Sequence, residues 1–324
     1  MKLPRRTFLH LAAGAAALPT VSHFARAQAY PTRPVRLIEG FGPGSAPDIV
    51  ARLIGQSLSE RLGQSFVIEN RSGANSNIAT DAVARASPDG YTLLLITSTN
   101  AINTALYDKL SFDFIRDIVP IASIARVPLV MEVHPSVPAR TVAEFIAYAK
   151  ANPGKVNMAS AGTTTQMAGE MFKMMAGLDL FHVPYRGAQV FPALLAGEAQ
   201  VYFGPLLSSI GYVRAGNLRA LAVTTTTRSP VLPDIPALSD TLPDYEASAW
   251  YGIGAPKNTP AELIERLNKE VNISIADPKF EARLANLAGT VLSGSPADFG
   301  KLISDETNKW GKVIVAANIK SESR

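Results

Sequence analysis

Short apolar runs alternate with longer amphipathic stretches through most of the chain. The first run is VRLIEGF at 35–41, and after a turn comes 48–62, where Val50, Leu53, Ile54, Leu58 and Leu62 recur at steps of three and four. Those steps place the apolar side chains on one face of a helix, and Gly63 directly after them predicts its C-cap. SFVIEN, a helix over 78–86 and YTLLLIT continue the alternation. At PIASIARVPLVMEVHP the cycle starts again. A helix over 142–151 ends at Asn152-Pro153-Gly154, strand VNMAS enters the loop AGTTTQ, and a helix over 167–175 follows. Strand LFHVPY, a helix at 191–196, strand VYFGP, a short helix at 210–214 and strand LRALAVTT complete this second series.

This order is that of an α/β fold with two mixed, mostly parallel sheets flanked by helices. The proline-rich stretch 228–260 reads as an irregular return path across a surface. Helical patterns over 261–276, 278–287 and 296–317 finish the chain, and no repeat of domain-building length is present.

The turn between VRLIEGF and the first helix carries glycine at 40, 42 and 44, as nucleotide-phosphate sites do. Gly42-Pro43-Gly44-Ser45-Ala46-Pro47 nonetheless misses the last glycine of G-x-G-x-x-G, and Gly-Lys-Ser/Thr is absent. Ser45-Ala46-Pro47-Asp48 has the form of a capping box with Pro in the first turn, and Thr163-Thr164-Thr165-Gln166 repeats that form in the second series. Each is consistent with nothing more than a well-capped helix. Two such starts after strands, one per series, also make a pair of anion-attracting helix ends. A cleft between two lobes with both ends facing it follows, because ligands of open α/β sheets bind outside the carboxyl ends of strands.

The first residues change the charge picture. Arg5-Arg6-Thr7-Phe8-Leu9, the apolar stretch to Leu18 and the small-residue sites at Ala27 and Ala29 form a secretory signal over 1–29, of twin-arginine type. Cleavage near Ala27 removes Lys2, Arg5, Arg6 and Arg26, leaving 27 basic against 27 acidic residues. A chain so balanced offers no electrostatic footprint for nucleic acid. Cysteine is absent and only His134 and His182 remain outside the signal, which leaves poor means for a metal centre.

The ordered set YPTRPVRLIEGFGPGSAPDIVAR, GQSFVIENRSGANSNIATDAVARASPDGYTLL, ANPGKVNMASAG, HVPYRGA, LRALAVTTTTRSPVLPDIPAL and SAWYGIGAPKNTPAELIERLN resembles the tripartite tricarboxylate transporter substrate-binding proteins, the Bug or TctC family of periplasmic solute receptors. The resemblance implies a monomeric, two-lobed Venus-flytrap receptor of periplasmic binding protein type II, without catalysis or cofactor. Lobe 1 would comprise 30–124 and 224–324, and lobe 2 would be 125–223. Its partners would be a small carboxylate and the integral membrane subunits of a permease. Carried onto matching positions, the ligand site would involve Phe41, Gly42, Gly44, Ser45, Ala46 and Asp48 of the first loop. From the second lobe it would take Ser160, Gly162, Thr163, Thr164, Thr165 and Gln166, then Pro184, Tyr185 and Gly187, with Phe203 and Gly204 as weaker additions. Family members often have an aspartate where this chain has Gly204, so the departure argues against an amino-acid ligand.

Two other functions compete. An exported hydrolase using Ser45 or Ser160 would need His134 or His182 as base, and no G-x-S-x-G elbow is present. A receptor of the same kind signalling to a sensor kinase would use the same closure.

Overall fold

The computed structural model describes residues 30–319, so the expected signal segment lies outside them. From Arg33 onward the order is β1 (Val35–Glu39), α1 (Ala46–Leu62), β2 (Phe66–Asn70), α2 (Asn77–Ala84), β3 (Thr92–Thr97), α3 (Ser98–Leu106), α4 (Phe114–Asp117) and the long β4 (Ile118–Val133). Next come α5 (Val142–Ala151), β5 (Asn157–Ser160), α6 (Thr163–Ala176), β6 (Phe181–Pro184), α7 (Val190–Leu195), β7 (Val201–Pro205), α8 (Leu206–Arg214) and β8 (Arg219–Val223). The chain returns through β9 (Ser248–Pro256), α9 (Ala261–Ile275), α10 (Pro278–Asn286), β10 (Thr290–Val291) and α11 (Pro296–Ala316).

The strands run in the order β2-β1-β3-β9-β4-β7-β5-β6, with β8 and β10 also paired to β4. β1 lies parallel to β2 and β3, and β5 lies parallel to β6 and β7. Between these parallel sets β9 and β4 run antiparallel. β4 joins the two halves because its early residues pair with β9 and its last five with β7. Its Pro120 is accommodated at a register shift against β9, where a missing N–H costs no ladder bond.

One expectation needs correcting. The stretch 228–260 is not only a surface return path, because it contains β9, a nine-residue strand buried along its whole length in the middle of the sheet. Its proline-rich flanks hid a run, SAWYGIGAP, whose side chains are covered on both faces. Trp250 of β9 stands edge-on to Phe299 of α11, with ring centroids 5.8 Å apart. The returning helix thereby packs on a core that also holds Ile38, Leu94, Ile96 and Ile118. Each such side chain, fully buried, contributes about 1.5–3 kcal/mol.

In the other half, Ala159, Val190, Phe191, Leu194 and Tyr202 form a second core, and Phe172 packs on Phe203 at 5.1 Å on the opposite face of β7. The parallel strands of both halves end at one place. β1 leads to α1, β3 to α3, β5 to α6 and β7 to α8, while β6 leads to the short turn Gly187–Gln189.

Candidate functional site

The first loop is held from below by carboxylates. Glu39, the last residue of β1, is fully buried and accepts the Phe41 N–H at 2.7 Å and a short hydrogen bond from Asn70 Nδ2. Asn70 Nδ2 also lies 2.9 Å from Asp48 Oδ1, and Asp48 accepts from Gly44 N–H at 3.0 Å and Arg52 Nε at 2.9 Å. Burial pushes Glu39 up to about 8, with the Phe41 and Asn70 hydrogen bonds opposing it. For Asp48 burial acts in the same sense, but the hydrogen bonds from Arg52, Asn70 and Gly44 prevail and hold it below the usual carboxylate range. Asp48 is thus occupied in shaping the loop. Gly44 takes φ +79°, a left-handed turn that favours glycine, and sets Ser45 as N-cap of α1, its Oγ accepting from Asp48 N–H.

The second loop differs from its expected form. Thr163 is not an N-cap; α6 begins at Thr163, Gly162 is the cap, and the stretch read as loop is the helix's first turn. A hydroxyl network follows from this shift. Thr164 Oγ1 shares hydrogen bonds with Ser98 Oγ at 2.8 Å and Thr99 Oγ1 at 3.0 Å, and Thr163 Oγ1 donates to Asn103 Oδ1 at 2.9 Å. These contacts join α6 to α3, whose own cap is Thr97, its N–H donating 2.7 Å to Asn100 Oδ1.

A cavity opens where these helix starts meet. It encloses about 490 Å³ of non-atom space, part of it open to solvent. Phe41, Ser45 and Ala46 line it from the first loop, Gly162, Thr164 and Thr165 from the second, and Gly187 from the third. The loops touch each other around it. A Cβ on Gly162 would stand 2.9 Å from Phe41 Cε1, and one on Gly187 would stand 3.4 Å from Gly42 N.

Not one of the lining residues is Asp, Glu, Lys, Arg or His. Besides the phenols of Tyr202 and Tyr251, the polar ones are hydroxyls at helix starts: Ser45, Thr97, Ser98, Thr99, Thr164, Thr165 and Ser208. First-turn N–H groups have no intrahelical acceptor, and the helix dipoles add positive potential there. An uncharged cavity ringed by such ends suits an anion that is met by neutral donors.

Other expected residues lie away from the cavity wall. Gly42, Gly44 and Asp48 belong to the loop's frame. Ser160 is buried, and its Oγ shares a 2.7 Å hydrogen bond with His182 Nε2. A nucleophile needs such a partner, yet Ser160 is not among the residues that line the cavity. Thr163 is spent on Asn103, and Gln166, Pro184 and Tyr185 lie off the wall. Phe203 points into the core against Phe172, as strand alternation requires once Tyr202 faces the cavity. Gly204 is covered by the Tyr202 ring, which occupies the space that a Cβ there would need.

Sequence reasoning missed Thr97, Ser98 and Thr99, together with Phe191, Tyr202, Ser208 and Ala249. Thr97-Ser98-Thr99-Asn100 follows the strand YTLLLIT and has the spacing of a Thr/Asn cap, so the signal was present.

A family model described as tripartite tricarboxylate transporter family receptor matches residues 50–319. Protein BugT of Bordetella pertussis is 32% identical over 296 residues, which cover 89% of this chain and 90% of that protein. Among solved structures, R. palustris Rpa4515 with adipate superposes with a TM-score of 0.88 at 36% identity, covering 90% of this chain and 99% of its own. MatC of Rhodopseudomonas palustris with bound malate gives 0.84 at 28% identity, covering 88% and 100%.

Proposed function

Because the chain belongs to the tripartite tricarboxylate transporter receptor family of periplasmic solute-binding proteins, we propose that it captures a small organic carboxylate and delivers it to a membrane permease. The observation that carries this reading is the meeting of the α1, α3 and α6 starts, with their hydroxyls, at a cavity lined by no charged side chain. Carboxylate oxygens there would accept first-turn N–H and hydroxyl hydrogen bonds, directly or through water at modest cost. The ligands in the Rpa4515 and MatC structures, adipate and malate, are carboxylates and support the same class.

In this reading the parts 30–124 with 224–324, and 125–223, act as the two lobes. The Ser98–Thr164–Thr99 hydroxyls and the Phe41–Gly162 contact are the surfaces brought together on closure. Among the described residues no helix is long and apolar enough to cross a membrane.

A thermal-shift panel of mono-, di- and tricarboxylates, amino acids and nucleotides tests the proposal. Ligand at ~1000 times its Kd stabilises by about 4 kcal/mol, which at roughly 2–4 °C per kcal/mol raises Tm by about 8–16 °C. A shift with nucleotides and none with any carboxylate would sink it.

A further inference from the structure

The wall of the cavity is chemically divided. Its Ser and Thr hydroxyls sit at helix starts, and its large surfaces are the rings of Phe41, Phe191, Tyr202 and Tyr251, of which Tyr202 hydrogen-bonds to Thr165. Tyr202 is 2% exposed and lies flat across Gly204, in space that any side chain at 204 would claim. Phe191 holds it edge-on, with centroids 6.2 Å apart and planes at 88°, and Tyr212 in turn stacks on Phe191 at 4.8 Å. The ring is therefore fixed by a packed column rather than free to swing out.

We propose that the ligand is a carboxylate with one charged end and a compact apolar or planar body, and that Tyr202, lying over Gly204, is the residue that selects it. The inference rests on the carboxylate reading above and narrows it. A second charged group seated against the Tyr202 and Phe191 rings would give up its water for ring faces that do not donate to it as the helix starts do. The α8 start also borders this wall, and its Ser208 hydroxyl is already engaged, donating to Pro205 O at 3.0 Å. An aromatic or short alkyl body meets ring faces there and keeps them dry. An ammonium group finds no carboxylate on the wall, so amino acids are disfavoured on the same ground.

Hexanoate and adipate make the decisive pair, since they have the same carbon count and differ by the second carboxylate. Isothermal titration of the purified, ligand-stripped chain is expected to give Kd values for hexanoate and benzoate at least tenfold below those for adipate and malate. Equal affinities, or tighter binding of either dicarboxylate, overturn this inference while leaving the carboxylate receptor standing. Binding of no carboxylate at all overturns both.

Substitutions then test Tyr202 itself. Tyr202→Phe keeps the ring and is expected to hold the adipate-to-hexanoate Kd ratio within threefold. Tyr202→Ala removes the wall and is expected to lower that ratio at least tenfold, and Gly204→Ala, which displaces the ring, should move it the same way. An unchanged ratio in a Tyr202→Ala protein that still melts cooperatively overturns the role of Tyr202. Should Gly204→Ala fail to fold, the two Tyr202 variants decide alone.

Discussion

Glu39 makes the stability of this protein depend on pH in an unusual direction. Its carboxyl is fully buried beneath the first loop, faced by Asp48 and Arg52 of α1, Asn70 of β2 and the Phe41 N–H. Burial, the largest influence, raises it from an ordinary 4.5 to about 8 despite two hydrogen bonds. Between those values the folded chain holds a proton that the unfolded chain has released. Stability contributed by the protonated form is therefore fully present below about pH 4.5, falls as pH rises through the interval, and is gone above about 8. Each tenfold displacement of a proton equilibrium is worth about 1.4 kcal/mol, so the loss across the interval is up to roughly 5 kcal/mol, a large share of a typical 5–15 kcal/mol total.

Glu39→Gln removes the titration while leaving an oxygen to accept from Phe41 N–H. The new amide opposes the Asn70 amide and costs something, but that cost is the same at every pH and cancels in the comparison. Urea unfolding at pH 5, 7 and 9 yields the stability of both proteins. The variant is expected to gain on the parent by about 3–5 kcal/mol between pH 5 and pH 9. A difference that stays constant within about 1 kcal/mol would refute the assignment of a buried, proton-holding Glu39. Glu132, also buried and pushed up to about 8 by desolvation, acts in the same direction in both proteins and so drops out of the difference.

Three further substitutions separate the parts of the site. Thr164→Val strips the hydroxyl shared by Ser98 and Thr99 and strands two buried partners; at about 1–3 kcal/mol a scanning melt should show a Tm lower by several degrees, and an unchanged Tm would mean that α3 and α6 do not hold each other in solution. Phe203→Ala empties a core position against Phe172 and should cost about 3–5 kcal/mol in urea unfolding, while titration of the folded variant leaves ligand Kd within threefold because the side chain faces away from the cavity. His182→Ala breaks the Ser160 hydrogen bond and is expected to change ligand Kd less than threefold; loss of a carboxylic-ester hydrolysis carried by the parent would instead revive the hydrolase reading.

How much of this was legible in the sequence follows from what local signals can carry. Ser45 as N-cap, Pro47 in the first turn and Gly63 as left-handed C-cap were readable because each acts through backbone atoms a few residues away. The closing helices were readable from periodicity, and α9, α10 and α11 lie within two residues of their expected ends. The start of α6 was read late, since Thr163-Thr164-Thr165 has poor helix propensity and looks like loop. Thr165 Oγ1 donates locally to Gly162 O, but what holds the first two is tertiary: the Thr163 and Thr164 hydroxyls are satisfied by Ser98, Thr99 and Asn103, more than fifty residues earlier.

The largest error has the same origin. β9 lies between proline-rich flanks that mark turns and carries glycines at 252 and 254, and only its partners β3 and β4 reveal that SAWYGIGAP fills the centre of the sheet. Ala249 of the cavity wall was lost with it. At β7 the right strand was chosen and the wrong neighbour, because alternation says that Tyr202 and Phe203 face opposite ways but not which of them faces the cavity. Gly204 settles that side. Its missing Cβ leaves room for a ring from position 202, two residues back on the same face, and no such room is needed for Phe203. A glycine two residues after an aromatic at a strand's end is thus a sequence-level sign that the ring is laid along the strand toward whatever lies beyond it, here the cavity.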